Sequence, residues 1–329
     1  MRMRVATAIV SAVILTGCAS LTTSPEELRF LPASSELDFG DKVVDVRLSA
    51  TGEYIAGASF DDTVRIFHAS TQTPVAVLQH PDDVYSVAFL PDSQRAVTAC
   101  GDGGVRMFDI ATGEVLWETH THDAAVYAVD AAGGVVASAG EDRTVLLWDV
   151  DSGELLRKMI GHTAAIHDIA FAPDGEHLAS ASSDRNLRIW RLSDGKTAKV
   201  LRTSERGTSR QEFALAYSPD GEHIVSVGRR GEKPDEQFVR VWSVSKGKVV
   251  RTFTGHDNDL WDVRFTRSGR FVVAAGRAGK VYFWVERSSI LRKTIRAGAG
   301  AIWALVLDPT ETIMYLATSS PKIEVMKLQ

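Results

Sequence analysis

Cysteine is nearly absent: Cys18 and Cys100 are the only two in 329 residues. So few thiols exclude a disulfide-stapled scaffold and a cysteine-rich zinc module. Proline is scarce as well, with ten residues against 26 glycines, which excludes a proline-rich linker and suits many tight turns. Basic charge is not in excess. Lys and Arg number 37 against 42 Asp and Glu, a net charge of −5. The field that would displace phosphate counterions is missing, so no nucleic-acid partner is expected. The apolar stretch from Val5 to Leu15 has eleven residues, well short of the roughly twenty a spanning helix needs, and a polytopic membrane protein is excluded. What remains is ordinary: 44% hydrophobic and 24% charged, the balance of a globular chain. Length alone points to about two domains.

The first residues read as an address. Met1-Arg2-Met3-Arg4 is basic, Val5 to Leu15 is apolar, and Leu15-Thr16-Gly17 leads into Cys18. This resembles the bacterial lipoprotein signal, in which small residues precede a cysteine that becomes the acylated N-terminus. The resemblance implies a signal peptide over residues 1–17 and a lipidated Cys18 opening a tether over 18–33. A globular part then fills 34–329. Ala19 implies sorting to the outer membrane, facing the periplasm. Each buried methylene of an acyl chain is worth roughly 0.8 kcal/mol, so several chains together make a stable anchor. Loss of Arg2 and Arg4 with the signal moves the net charge from −5 to −7.

The remainder repeats. Gly161-His162 opens an alternating strand through Ile166 and Phe171, followed by the turn Pro173-Asp174-Gly175. A small-residue strand (Leu178-Ala179-Ser180-Ala181-Ser182), a turn at Asp184 and a third strand ending in Trp190 complete the unit. The terminal aromatic recurs as Phe67, Phe108, Trp148, Trp190, Trp242 and Trp284, with Met326 in seventh place. The spacing is close to forty residues, apart from 52 between Trp190 and Trp242. With Trp148-Asp149, Gly161-His162 and Gly255-His256, the pattern resembles the WD-repeat β-propeller family. The resemblance implies an all-β fold: a seven-bladed β-propeller of four-stranded antiparallel blades in a single monomeric ring. Residues 35–39 precede the first inner strand, where an outer strand is missing from the last blade, and are expected to close the ring there.

Several residues look chemical. His122, Ser138, Asp142 and Trp148 in blade three, and His162, Ser180, Asp184 and Trp190 in blade four, occupy positions that the family uses for a buried structural network. A Ser-His-Asp set that recurs between blades is scaffold rather than nucleophile, so no catalytic residue is assigned. Blade two offers His80, Thr98 and Asp102, with Phe108 in place of the indole donor. His120 beside His122 lacks a third metal ligand, and His256-Asp257-Asn258-Asp259 lacks the loop of a calcium site. Gly276-Arg277-Ala278-Gly279-Lys280 lacks the spacing and hydroxyl of a phosphate loop. No metal and no cofactor are expected, and Cys100 reads as an inert buried thiol.

A partner site is expected on the top rim of the ring. In this family the residue after the first apolar residue of each inner strand faces the channel mouth, and here the set is Val44, Tyr85, Tyr127, His167, Ala214, Trp261 and Trp303. Two residues earlier stand Lys42, Asp83, Ala125, Ala165, Glu212, Asp259 and Ala301. Aromatics bordered by charge are the composition of a protein-binding hot spot. The function implied is a membrane-anchored scaffold for a protein or peptide partner. The alternative is a glycan- or small-molecule-binding sensor, or an enzyme, using the channel mouth. Charged insertions in blade five, within Arg202 to Gln211 and Arg229 to Gln237, are expected as loops beside it.

Overall fold

The computed structural model describes residues 38–202, 210–230, 239–256, 259–288, 290–297 and 300–328. The signal, Cys18 and the tether lie outside the described residues, as do residues 35–37 of the expected closing strand. Among the described residues 27 strands and no helix form seven antiparallel sheets, six of four strands and one of three. Each sheet takes its strands in chain order, so the fold is the all-β, seven-bladed propeller that the repeat implies. The inner strands are Val43–Leu48, Val84–Phe89, Val126–Ala132, Ile166–Phe171, Arg210–Tyr217, Leu260–Phe265 and Ile302–Leu307.

The burial of each strand follows from its place in the blade. Second strands such as Tyr54–Ser59 and His177–Ser182 are buried from their second residue onward, because neighbouring blades cover both faces. Alternation is lost there, and small residues let the blades approach. Gly57 sets the limit: a Cβ at that position would lie 2.7 Å from Phe39 Cζ and 2.9 Å from Ile323 Cδ1. The outer strands face solvent, and Leu155–Ile160 exposes every residue but Met159. The aromatics ending the third strands, Phe67, Phe108, Trp148, Trp190 and Trp284, are fully buried between blades. In the turn Pro173-Asp174-Gly175, the Asp174 carboxylate accepts the amides of Glu176 and His177 at 2.7 and 3.1 Å, and Gly175 takes φ +69°.

Blade seven meets blade one through a shared core of Val43, Ile55, Phe67, Tyr315 and Ile323. The Tyr315 hydroxyl donates across this junction to the Ala69 carbonyl at 3.2 Å. Blade seven has three strands among the described residues. Asp38, the first described residue, forms one antiparallel bridge with Lys322, and the Phe39 N–H donates to the Pro321 carbonyl at 2.7 Å. Lys322 Nζ lies 2.8 Å from the Asp38 carboxylate.

Blade five departs from the expected loops. Its first two strands, Arg210–Tyr217 and His223–Arg230, are eight residues long where the others have six or seven. Arg210 pairs with Arg230 and Gln211 with Arg229, so part of the insertion prolongs a hairpin instead of leaving it as loop. The rest, residues 203–209 and 231–238, lies outside the described residues.

Candidate interaction face at the channel mouth

Every inner strand begins with a β-bulge, seen as a shift in its register with the second strand. The bulged residue is Val44, Tyr85, Tyr127, His167, Phe213, Trp261 or Trp303, in blades one to seven. A bulge leaves its residue unpaired and re-aims the side chain, here onto the mouth of the central channel. Blade five corrects the sequence expectation. Its shift falls between Glu212 and Ala214, so Phe213 is the mouth residue and Ala214 lies buried in the tier below. Glu212 takes the place of Val84 and Ile166, and Gln211 belongs in the column with Lys42, Asp83, Ala125, Ala165, Asp259 and Ala301. Counting from the first apolar residue fails there because that position holds a glutamate.

The mouth residues form a connected arc. Trp261 and Trp303 stack at 4.2 Å between centroids. Lys42 Nζ sits 5.9 Å from the Trp303 ring and 4.4 Å from that of Phe60. Phe60 meets Tyr85 at 5.1 Å and Tyr85 meets Tyr127 at 5.0 Å, both edge to face. Tyr127 stacks on His167 at 5.8 Å, and His167 meets Phe213 at 5.3 Å. His167 Nε2 lies 2.6 Å from the Ser183 hydroxyl, and burial lowers the imidazole pKa below its ordinary value. Phe60 and Phe213 were not legible as members: one comes from a second-to-third-strand hairpin, the other from the shifted bulge. Trp303 Nε1 is buried and meets no acceptor among the described residues.

Below the arc the channel is charged and encloses about 100 Å³. Asp45, Asp130, Asp168 and Asp262 each accept a backbone N–H from the next blade, those of Val87, Phe171, Leu215 and Leu305, at 2.8 to 3.2 Å. These bonds staple adjacent inner strands together. Arg47 lies 3.3 Å from Asp45, and Arg264 lies 3.1 Å from Asp262. Burial pushes the Asp168 carboxyl up to about 6 although Arg264 and Arg47 pull it down, and burial raises Asp130 as well. Burial opposes the charge on Arg264, but Asp262, Asp168, Asp45 and Asp130 hold its pKa above the ordinary value. Four carboxylates thus surround two guanidinium groups.

The polar sets within the blades are closed chains. His122 Nδ1 lies 2.8 Å from Asp142 and Nε2 2.7 Å from Ser138 Oγ, which also accepts the Trp148 indole N–H at 2.9 Å. Blade four repeats this with His162, Asp184, Ser180 and Trp190 at 2.8, 2.7 and 2.8 Å. Burial alone would raise Asp142 and Asp184, but the imidazole hydrogen bond and charge hold each at about 2. Blade two differs from the expected set. His80 reaches Thr98 at 2.8 Å, but its other nitrogen meets the Leu78 carbonyl. Asp102 binds Arg106 and His120 instead, at 2.5 and 3.2 Å. Blade six sends the Trp284 N–H to the Thr254 carbonyl at 2.9 Å. Cys100 is buried, and burial pushes its thiol up to about 12.

Comparison with known proteins places these columns in a wider set. Residues 34–68, 72–109, 113–149, 153–191 and 247–285 match the WD domain, G-beta repeat. Over 256 residues the chain is 24% identical to apoptotic protease-activating factor 1 of Rattus norvegicus, covering 76% of this chain and 20% of that protein. It is 23% identical over 293 residues to the WD repeat-containing protein 26 homolog of Arabidopsis thaliana, covering 85% and 47%. A serine-threonine kinase receptor-associated protein of Gallus gallus is 32% identical over 141 residues, covering 42% and 39%. The chain therefore spans between a fifth and about half of these relatives.

Proposed function

The chain belongs to the WD-repeat family, and from that membership we propose that it is a non-enzymatic interaction scaffold. Its top face, around the channel mouth, would receive a protein or peptide. The observation that carries this reading is the arc from Trp261 through Trp303, Phe60, Tyr85, Tyr127 and His167 to Phe213. Large, pre-ordered side chains at the centre of a rigid ring lose little entropy on binding, and the rim around them is polar. A receptor-associated protein among the relatives agrees with such a role.

We propose further that Cys18 carries the lipid anchor and that a tether over 18–33 holds the ring at the outer membrane, facing the periplasm. Confinement to a surface raises the effective concentration of a partner held there. Cys18→Ser is expected to move the protein from the membrane fraction to the soluble one; retention in the membrane sinks the anchor. For the top face, the test is photo-cross-linking in cells from position 303, with Trp261→Ala as the competitor variant. Capture of a partner that Trp261→Ala abolishes supports the site. Capture unaffected by Trp261→Ala, or none at all, refutes it.

A further inference from the structure

The charge around the mouth is uneven, and the unevenness identifies a class of partner. Over blades one and two the carboxylates of Asp62, Asp82 and Asp83 converge, with one oxygen of each within 4.8 Å of the other two. Asp82 and Asp83 sit in the loop that leads into Tyr85, and Asp62 in the hairpin that carries Phe60. Three like charges at that separation repel unless a cation lies among them. The nearest is Lys42, whose ammonium is drawn over the rings of Phe60 and Trp303. Burial first, then Asp82, Asp62 and Asp41, raises the Asp83 pKa against the pull of Lys42. Burial, Asp83, Asp82 and Glu141 raise the Tyr85 phenol in the same way, and burial and Glu141 raise Tyr127. Directly below, four channel carboxylates face two guanidinium groups. The negative field thus lies on the arc's Phe60–Tyr85–Tyr127 side, where the three rings are partly buried.

Resting on the top-face reading, we infer that the partner presents a basic segment, with a lysine or arginine side chain laid over Tyr85 and Tyr127 and its neighbours drawn to Asp62, Asp82 and Asp83. A cation is attracted both by the carboxylates and by aromatic π-faces. An arginine satisfies both, because its planar guanidinium stacks on a ring while its edge donates to a carboxylate. An acidic or neutral segment would leave the three aspartates uncompensated and meet repulsion on the approach.

The test uses a fluorescein-labelled, N-acetylated octa-arginine peptide and the full chain, read by fluorescence anisotropy, with octa-glutamate and a Gly-Ser octamer as controls. The arginine peptide is expected to bind and the controls to fail. Asp62→Asn with Asp82→Asn and Asp83→Asn is expected to weaken binding at least ten-fold. The same triple change on the opposite face, at Asp109, Asp149 and Asp194, is expected to weaken it no more than two-fold. Tyr85→Leu with Tyr127→Leu keeps apolar bulk in the arc while removing the π-faces, and is expected to weaken binding at least five-fold at an unchanged melting temperature. Equal losses from the two triple sets mean attraction by net charge alone and overturn the proposal, as does a tyrosine pair without effect or tighter binding of octa-glutamate. If octa-arginine fails while position 303 still captures a Trp261-dependent partner, only the basic-segment inference falls. If that capture fails too, the top-face reading falls with it.

Discussion

Ser180→Ala should be among the most damaging single-atom deletions in this protein. Ser180 is wholly buried, and the direction of each hydrogen bond around it can be worked out. In the neutral imidazole, Asp184 accepts from His162 Nδ1–H and Nε2 is an acceptor. The Ser180 hydroxyl donates to that nitrogen at 2.7 Å and accepts the Trp190 N–H at 2.8 Å. Removing Oγ strands both the imidazole nitrogen and the indole donor between two blades. Each stranded group costs about 1–3 kcal/mol, so the variant should lose about 2–6 kcal/mol. Ser226→Ala provides the internal comparison, because Ser226 Oγ meets only the Trp242 N–H, at 3.0 Å, among the described residues. It strands one group and should lose about 1–3 kcal/mol. The assay is urea unfolding followed by circular dichroism, with the slope checked to be equal among the proteins. If Ser180→Ala costs no more than Ser226→Ala, the imidazole link contributes nothing and the closed-chain account is wrong.

Four further outcomes are expected. Asp142 and Asp184 sit at about 2 against an ordinary 3.8, so their stabilisation is complete above the unfolded value and is lost as pH falls from about 4 to about 2. Asp168 runs the other way: raised to about 6, it costs stability while ionised, so wild type should gain on Asp168→Asn as pH falls from about 6 to about 4, and a constant difference between them refutes this. Gly57→Ala should destabilise the blade-seven and blade-one junction by about 1–3 kcal/mol, since its Cβ would overlap Phe39 and Ile323; an unchanged urea midpoint sinks the close-packing argument. Deletion of residues 34–40 removes the Asp38 bridge to Lys322 and buried Phe39, and should open the ring to aggregation; a deletion protein that keeps the parent's melting temperature refutes closure from this side.

The repeat was legible because each blade solves the same packing problem. A third strand ending in a large apolar residue, and a second strand of alanines and serines, are what a wedge covered on both faces requires, and Phe67 through Met326 mark it. Register within a blade was less legible. A bulge moves one residue out of the ladder, and where its neighbour is Glu212 rather than a valine or isoleucine, sequence spacing selects Ala214 and misses Phe213. Competition between charges was also hidden. Asp102 holds the position of Asp142 and Asp184, yet Arg106, four residues on, takes its carboxylate and leaves His80 with a backbone carbonyl. No spacing rule announces that: blade four carries Arg188 in the same column, four residues after Asp184, and Asp184 still keeps His162. The channel tier was readable in principle: Asp45, Asp168 and Asp262 fall one residue after the bulge in three blades.

The blade networks also show why residue type alone does not make a nucleophile. Asp184, His162 and Ser180 have the composition and the contact distances of a hydrolytic triad. A nucleophilic serine needs a free lone pair aimed at space that a substrate carbonyl can enter. Ser180 Oγ donates a hydrogen bond to the neutral imidazole but accepts the Trp190 N–H in return, and Ser180 has no exposed surface. The imidazole also packs against the Trp190 ring, with centroids 5.9 Å apart. Ser138 is held the same way by Trp148. The indole therefore closes the chain of donors and acceptors and takes one of the hydroxyl's two lone pairs, while burial keeps a substrate from the other.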